Sequence, residues 1–212
     1  MSCTPFGIEA ACTRWQDGTV ALIDAEAQRI DSRVVVFGPA QAGKSAWLHH
    51  VHGAMGGAEP VQVSGDDPAA QHELAWIGLG EVRGYTTRFQ LTTTAGAPEQ
   101  RDHRRMLLQH VDGIVFVADA APGRERDNAA SFSELETMLG DWGTPLAAIP
   151  LVVFVNKRDL PGAVDVDAVA APLARHDTPP TAVAGSATTG DGVLDSFKTI
   201  AKLVLGALAR PE

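Results

Sequence analysis

The residues best suited to chemistry lie in the loop Gly38-Pro-Ala-Gln-Ala-Gly-Lys-Ser45, which fits the pattern G-x-x-x-x-G-K-S. Glycines let such a loop turn tightly, so that successive backbone N–H groups point inward at phosphate oxygens. The lysine can reach the β- and γ-phosphates of a nucleoside triphosphate, and the serine hydroxyl can bind Mg²⁺. The residues expected to contact phosphate here are Gly38, Ala40, Gln41, Ala42, Gly43, Lys44, Ser45 and Ala46.

A second loop, Asn156-Lys157-Arg158-Asp159, has the pattern N-K-x-D of proteins that read guanine. The carboxylate of Asp159 can accept both N1–H and the exocyclic amine of guanine, a pair of donors that adenine lacks. The stem of Lys157 can lie over the base, and Asn156 can tie this loop to the phosphate loop. This guanine-reading pattern argues against one interpretation of the P-loop, an ATP-using enzyme or kinase. In a further loop, Ser186 and Ala187 are expected to place a backbone amide at the guanine oxygen.

Strands and helices alternate after residue 30, which predicts an α/β fold with a mainly parallel sheet. We expect strands at 19–24 and 29–37, forming an N-terminal hairpin, and at 74–79, 85–93, 113–119, 151–155 and 181–184. The expected helices are 44–53, 98–109, 127–142, 165–174 and 191–208. Residues 55–71 are interpreted as a long loop, residues 1–18 as a loosely ordered extension, and 19–212 as one domain. A doubly wound sheet binds its ligand at the carboxyl ends of its strands, where all three loops should lie.

The net charge and the distribution of apolar residues limit the classes of partner that this protein can bind. The net charge of −9 works against binding nucleic acid or an anionic membrane through bulk electrostatics. No run of roughly 18 apolar residues is present, so no membrane span is expected. The N-terminus lacks the pattern of a signal peptide, and Cys3 and Cys12 are interpreted as incidental reduced thiols. These features predict a cytoplasmic protein.

Together the loops resemble those of the Ras-like small GTPases, and specifically the bacterial MglA type linked to gliding motility and cell polarity. The resemblance runs from about residue 30 to residue 209, and the segment 79–89 is typical of the MglA subgroup. Its marks are 38–45, Leu79-Gly-Glu-Val-Arg-Gly84, Thr87-Arg-Phe89, 111–119, Asn156-Lys-Arg-Asp-Leu-Pro161, Ala187-Thr-Thr-Gly190 and Ala201-Lys-Leu-Val-Leu205.

The resemblance implies a P-loop NTPase fold of Ras-like, three-layer α/β/α type. It further implies a molecular switch that binds GTP and GDP with Mg²⁺ and is monomeric on its own. Its partners would be a Roadblock-fold (MglB-like) regulator and effector proteins, with recruitment to a cell pole.

Both switch regions depart from the family pattern. Hydrolysis needs a first-switch residue that closes on Mg²⁺ and a second-switch residue that orients water. Residues 62–81 contain no threonine, lysine or arginine. The second switch reads Thr93-Thr-Ala-Gly96-Ala97, in which Thr93 is expected near the metal and Gly96 at phosphate. Ala97 occupies the usual glutamine position, which leaves Gln100 as the remaining candidate for orienting water.

Two interpretations of function follow from this pattern. The first is a GTPase switch with slow intrinsic hydrolysis, which a partner can accelerate. The second is a pseudo-GTPase, an interaction module that binds nucleotide without appreciable turnover. The sequence does not decide between them, because a partner can supply a missing catalytic group.

Arginines near the switches offer further candidates. Arg101, Arg104 and Arg105 form a basic stripe, interpreted either as a solvated helix face or as a docking surface for an acidic partner. Arg124 and Arg126 are expected in a loop above the nucleotide, where they could supply positive charge.

Overall fold

Strands and helices alternate along the chain in a computed structural model that describes residues 22–24, 26–57, 59–64, 71–82, 84–94, 100–173 and 180–208. The elements are β1 (Leu22–Asp24), β2 (Arg29–Phe37), α1 (Lys44–Met55), β3 (Val61–Ser64), β4 (Gln71–Val82), β5 (Tyr85–Thr93), α2 (Arg101–Leu107), β6 (Gly113–Asp119), α3 (Glu125–Asp141), β7 (Leu151–Asn156), α4 (Val166–Ala170), β8 (Thr181–Ala184) and α5 (Val193–Leu208).

One sheet carries all the strands, in the order β3-β4-β5-β2-β6-β7-β8, with β1 paired to β2. The five strands from β5 to β8 in this order are mutually parallel. β1, β3 and β4 pair antiparallel with their neighbours. The predicted mainly parallel sheet and the hairpin between β1 and β2 are therefore confirmed.

Helices cover both faces of the sheet, because the central strands are apolar on both sides. Val34 and Val36 of β2 pack with Trp47 of α1 and Phe197 of α5. The neighbouring Val35 and Phe37 face the opposite cluster, which α3 and α4 complete; its helical members are Phe132, Leu135, Met138, Leu139 and Val169. The result is the expected three-layer α/β/α arrangement. Among the described helices, none has the length and apolar character needed to cross a bilayer.

Several element boundaries differ from those expected. The long loop at 55–71 contains a strand, β3, which pairs with β4 at the edge of the sheet. β4 is longer than predicted at both ends, α2 ends at Leu107 instead of residue 109, and α3 begins two residues earlier than predicted. The proposed extension at 1–18 lies outside the described residues.

Candidate functional site

The loop from Gly38 to Gly43 joins the end of β2 to the start of α1. Gly38 has φ +146°, and a Cβ there would lie 2.3 Å from the carbonyl oxygen of Val117. Gly43 has φ +98°, and a Cβ there would lie 2.2 Å from Nδ2 of Asn156. Any larger residue at either position would displace the loop, so both glycines are required by the local packing.

Lys44 begins α1 and turns back over the loop. Its side chain is buried, with the residue 7% exposed, and Nζ donates to the carbonyl oxygens of Gly38 at 2.9 Å and Pro39 at 2.8 Å. Burial, and to a smaller extent the charge of Arg104, lowers the pKa of Lys44 from 10.5 to about 8. An anion beside this ammonium would favour its charged form, so the residue is suited to holding phosphate.

The N-terminus of α1 is open to an anion. Gly43 offers no side-chain acceptor to the first helical N–H groups, and within the described helix the first turn has no acidic residue. Of the predicted phosphate contacts, Ala40, Gln41, Ser45 and Ala46 are exposed while Ala42 is buried. The exposed hydroxyl of Ser45 therefore sits where Mg²⁺ bound to phosphates could reach it.

Asn156, at the end of β7, connects three loops. Its Nδ2 donates to the carbonyl oxygen of Ala42 at 2.7 Å, which is the tie to the phosphate loop expected from the sequence. Its Oδ1 accepts from the amides of Lys157 at 2.8 Å and Ala187 at 2.7 Å. Asn156 is 3% exposed, so these bonds hold the phosphate loop and the two loops predicted to read guanine in one arrangement.

Asp119, at the end of β6, organises a cluster that the sequence reasoning did not include in the site. Its buried Oδ2 accepts from Nζ of Lys157 at 2.7 Å and from Nε of Arg124 at 3.2 Å. Arg124 also donates to the carbonyl oxygen of Ala40 at 2.7 Å, so it reaches the phosphate loop from outside. The sequence signal was an aspartate directly after an apolar strand. The charge of Arg124, expected to face the nucleotide, is instead shared with Asp119 and Asp127.

The residues predicted to read guanine differ in how accessible they are to a ligand. Asp159 is exposed and open to a ligand. The amide of Ser186 donates to the carbonyl oxygen of Asp191 and that of Ala187 to Asn156, so both amides are already engaged. The neighbouring Thr188 amide donates to no residue in the described part of the chain, which makes it the amide of this loop available to a base.

Of the candidates from the second switch, Thr93 and Gln100 are among the described residues. Oγ1 of Thr93 accepts from the amide of Glu73 at 3.0 Å, and Thr93 is 3% exposed. Gln100 precedes α2 and is also buried. Gly96 and Ala97 fall outside the described residues.

The interpretation of Arg101, Arg104 and Arg105 as a solvated basic stripe is wrong for Arg104. Arg104 is 2% exposed and donates to Oε1 of Glu134 on α3 at 2.8 Å. Its guanidinium lies 5.7 Å from the ring centre of Phe37. A solvated helix face therefore does not describe Arg104. Arg101 lies three residues earlier on the same face, and its half-exposed side chain is 4.0 Å from Oε1 of Glu134.

Comparison with known proteins agrees with this architecture. The ADP-ribosylation factor (Arf) family pattern matches residues 20–204. The chain is 33% identical to the mutual gliding-motility protein MglA of Myxococcus xanthus, over 90% of this chain and 99% of that protein. It is 29% identical to ADP-ribosylation factor-like protein 2 of Drosophila melanogaster, over 79% of this chain and 84% of that protein. It is 30% identical to human ADP-ribosylation factor-like protein 4D, over 81% of this chain and 82% of that protein. Matched over most of its length, the chain belongs to the ADP-ribosylation factor family and is a GTP-binding small GTPase of the MglA type.

Proposed function

We propose that this GTPase is a switch that binds GTP and GDP with Mg²⁺, hydrolyses GTP slowly on its own and signals through protein partners. The observation that carries the proposal is the contrast between a complete set of nucleotide-binding residues and an incomplete set of catalytic residues. Lys44, Asn156 and Asp159 provide a phosphate site and a guanine site joined by hydrogen bonds. Ala97 has no side-chain amide to orient the attacking water.

The proposed nucleotide contacts involve three groups of residues, which would hold the phosphates, the guanine base and Mg²⁺. Lys44 would hold the β- and γ-phosphates, with amides of the loop from Gly38 to Ala46 and of Gly96 around them. Asp159 would read guanine, Lys157 would support the base, and the loop at Ser186 and Ala187 would approach its oxygen. Mg²⁺ would bridge phosphate oxygens and offset their charge, held by Ser45 with Thr93 nearby.

Slow hydrolysis follows from what the switches lack. A methyl group at position 97 cannot hydrogen-bond to the attacking water, and residues 62–81 contain no lysine or arginine to stabilise the transferred phosphate. Gln100 is buried just before α2, which favours a structural role over orienting water. We therefore expect intrinsic turnover no faster than about 10⁻⁴ s⁻¹, below that of unassisted relatives of ordinary sequence.

The partner proposal rests on the MglA-type relationship. A Roadblock-fold regulator would accelerate hydrolysis by supplying or positioning the missing group, and effectors would recognise the GTP-bound form. We place this activity in the cytoplasm, with recruitment to a cell pole, and propose a monomer in the absence of partners.

Single-turnover phosphate release tests the turnover proposal. Purified protein loaded with GTP and Mg²⁺ should release phosphate at or below about 10⁻⁴ s⁻¹, and Ala97→Gln should raise the rate roughly tenfold or more. Ala97→Leu is the matched control, because it adds similar bulk without an amide, and its rate should stay at the wild-type level.

Three outcomes separate the alternatives. A wild-type rate well above about 10⁻⁴ s⁻¹ contradicts the proposed slow turnover. A rate that falls in Gln100→Ala assigns the water-orienting role to Gln100. The absence of any turnover in the wild type and in Ala97→Gln, with GTP retained, supports the pseudo-GTPase.

A further inference from the structure

The loop that follows β8 closes on itself between Ser186 and Asp191. The amide of Ser186 donates to the carbonyl oxygen of Asp191 at 3.0 Å, and the amide of Gly190 donates to the carbonyl oxygen of Ser186 at 2.8 Å. The amide of Thr189 adds a bond to Oγ of Ser186 at 3.3 Å. These bonds fix the two ends of the loop relative to each other, and Thr188 lies exposed between them.

Asn156 and His50 hold this loop against the rest of the molecule. Oδ1 of Asn156 accepts from the amide of Ala187 at 2.7 Å. The imidazole of His50, on α1, lies against Gly190, because a Cβ built on Gly190 would be only 2.0 Å from both Cε1 and Nε2 of the ring. Gly190 also has φ +87°, which favours glycine. The ring of His50 therefore occupies the space that any side chain at position 190 would need.

The amide of Thr188 lies between these two supports along the chain. Ala187, directly before it, is tied to Asn156, and Gly190, two residues after it, packs against His50. The Thr188 amide is the group of this loop available to a base, since it donates to no residue in the described part of the chain. A hydrogen bond weakens steeply as its angle departs from linear, so the position of the loop decides how well this amide can donate.

We propose that His50 is a positioning residue for guanine recognition, whose ring keeps the Thr188 amide directed at the guanine oxygen O6. The inference rests on the proposed function, in which this loop approaches that oxygen. Half-buried His50 belongs to the helix that begins with Lys44, so one helix serves the phosphates at its start and the base-reading loop further along. Without the ring, Gly190 loses its packing and the amide loses its alignment. Affinity then falls for those bases that carry an oxygen at O6.

Three nucleotides separate this loop from the rest of the site. GDP carries both O6 and the 2-amine, 6-thio-GDP replaces O6 with a sulfur that accepts hydrogen bonds weakly, and inosine diphosphate keeps O6 but lacks the 2-amine. Each is made to compete with fluorescent GDP for the full chain in the presence of Mg²⁺. His50→Ala should weaken the binding of GDP and of inosine diphosphate about fivefold each. The binding of 6-thio-GDP should weaken by less than about twofold, because the hydrogen bond that is lost involves O6 alone.

Two further variants on α1 complete the test. His50→Phe keeps a ring against Gly190 and should hold the affinity for GDP within about twofold of the wild type. His49→Ala is the matched control, because the adjacent His49 is exposed and its Nε2 lies 3.0 Å from Oε1 of Glu73 on β4. This variant should leave the ratio of GDP affinity to 6-thio-GDP affinity at its wild-type value.

The outcomes separate the inference from the proposed function beneath it. Equal losses for all three nucleotides in His50→Ala would show that His50 serves the stability of the fold, and an unchanged affinity for GDP would show that its ring is not needed. Either result overturns the inference and leaves GDP binding in place. An O6-dependent loss in His49→Ala, or a loss in His50→Phe as large as in His50→Ala, overturns it as well. A wild-type chain that does not bind GDP overturns the proposed function itself.

Discussion

At the scale of single residues, the buried ammonium of Lys44 makes nucleotide affinity depend on pH. The pKa of Lys44 is lowered from 10.5 to about 8, by burial first and by Arg104 second. Between these values the unfolded chain binds more protons than the folded chain, so this group's contribution to stability rises with pH across that window. Bound phosphates would favour the charged form, and binding above pH 8 must therefore take up a proton. Affinity for GDP should fall as pH rises above 8, by at most about tenfold per unit.

The measurement is the Kd for fluorescent GDP with Mg²⁺ at intervals from pH 7 to pH 9. Lys44→Arg serves as the control, because a guanidinium stays charged throughout this range while every other titrating group is unchanged. Its affinity is expected to be lower but to lack the Lys44-dependent decline. A wild-type Kd that follows the same pH profile as Lys44→Arg would show that the lysine does not couple to binding.

Sequence reasoning predicted the connection that Asn156 makes to the phosphate loop and missed the connections made by Asp119 and Arg124. Gly38, Lys44 and Asn156 could be predicted because each loop's spacing carries its own chemistry. The bond from Arg124 to Ala40 joins residues 84 positions apart, and no local pattern encodes it. The sharing of Asp119 between Lys157 and Arg124 depends likewise on how β6, β7 and α3 meet. Residues 95–99 lie outside the described part, so the assignments of Gly96 and Ala97 stay predictions.

At the scale of elements, the bounds of the buried strand β6 and of the edge strand β8 were predictable, and the edge strand β3 was not. β6 is buried along its whole length, and its apolar run gave its bounds correctly. β3 is four residues long, and its sequence Val-Gln-Val-Ser lies between segments rich in glycine, proline and aspartate. Its pairing with β4 supplies backbone hydrogen bonds that local composition does not reveal. Edge strands of this kind depend on their neighbour more than on their own propensity.

The ion pair between Arg104 and Glu134 predicts how firmly α2 is held against α3. Glu134→Gln removes the carboxylate charge opposite an arginine that is 2% exposed. Because Glu134 itself is partly exposed, we expect a loss of about 1–3 kcal/mol in the free energy of unfolding, less than for a fully buried pair. Urea denaturation measures the loss, and amide hydrogen exchange should quicken in α2 before other helices.

The control for that experiment is the more exposed pair between Arg105 and Asp141. Its side chains are 36% and 40% exposed, so Asp141→Asn should cost no more than about 1 kcal/mol. Both substitutions remove one carboxylate charge from α3, which leaves burial as the main difference between them. Equal losses in the two variants would mean that Arg104 does not depend on Glu134 for its charge balance.

At the scale of the whole molecule, the parallel strands bring the loops after β2, β6, β7 and β8 to one end of the sheet. The alternating pattern predicted this convergence, since carboxyl ends of parallel strands share an edge. The connection that Asn156 makes to the phosphate loop was also expected from the sequence, whereas its reinforcement through the ion pair between Lys157 and Asp119 was not. The two asparagines of the chain separate these roles, because the side chain of Asn128 bonds to the backbone N–H and carbonyl oxygen of Asp119, at 2.9 and 2.8 Å, and not to the phosphate loop.

The two asparagines therefore give a matched test of whether the loop connection serves binding or only folding. Asn156→Ala and Asn128→Ala each remove buried hydrogen bonds, and each should lower the free energy of unfolding by about 1–3 kcal/mol. Only Asn156→Ala should also lose affinity for GDP, by roughly tenfold, which reduces the stabilisation by saturating GDP and Mg²⁺ by about 1.4 kcal/mol. Thermal unfolding with and without nucleotide separates the two effects. An equal loss of nucleotide stabilisation in Asn128→Ala would show that Asn156 acts through the general stability of the fold, and not by aligning the phosphate and guanine loops.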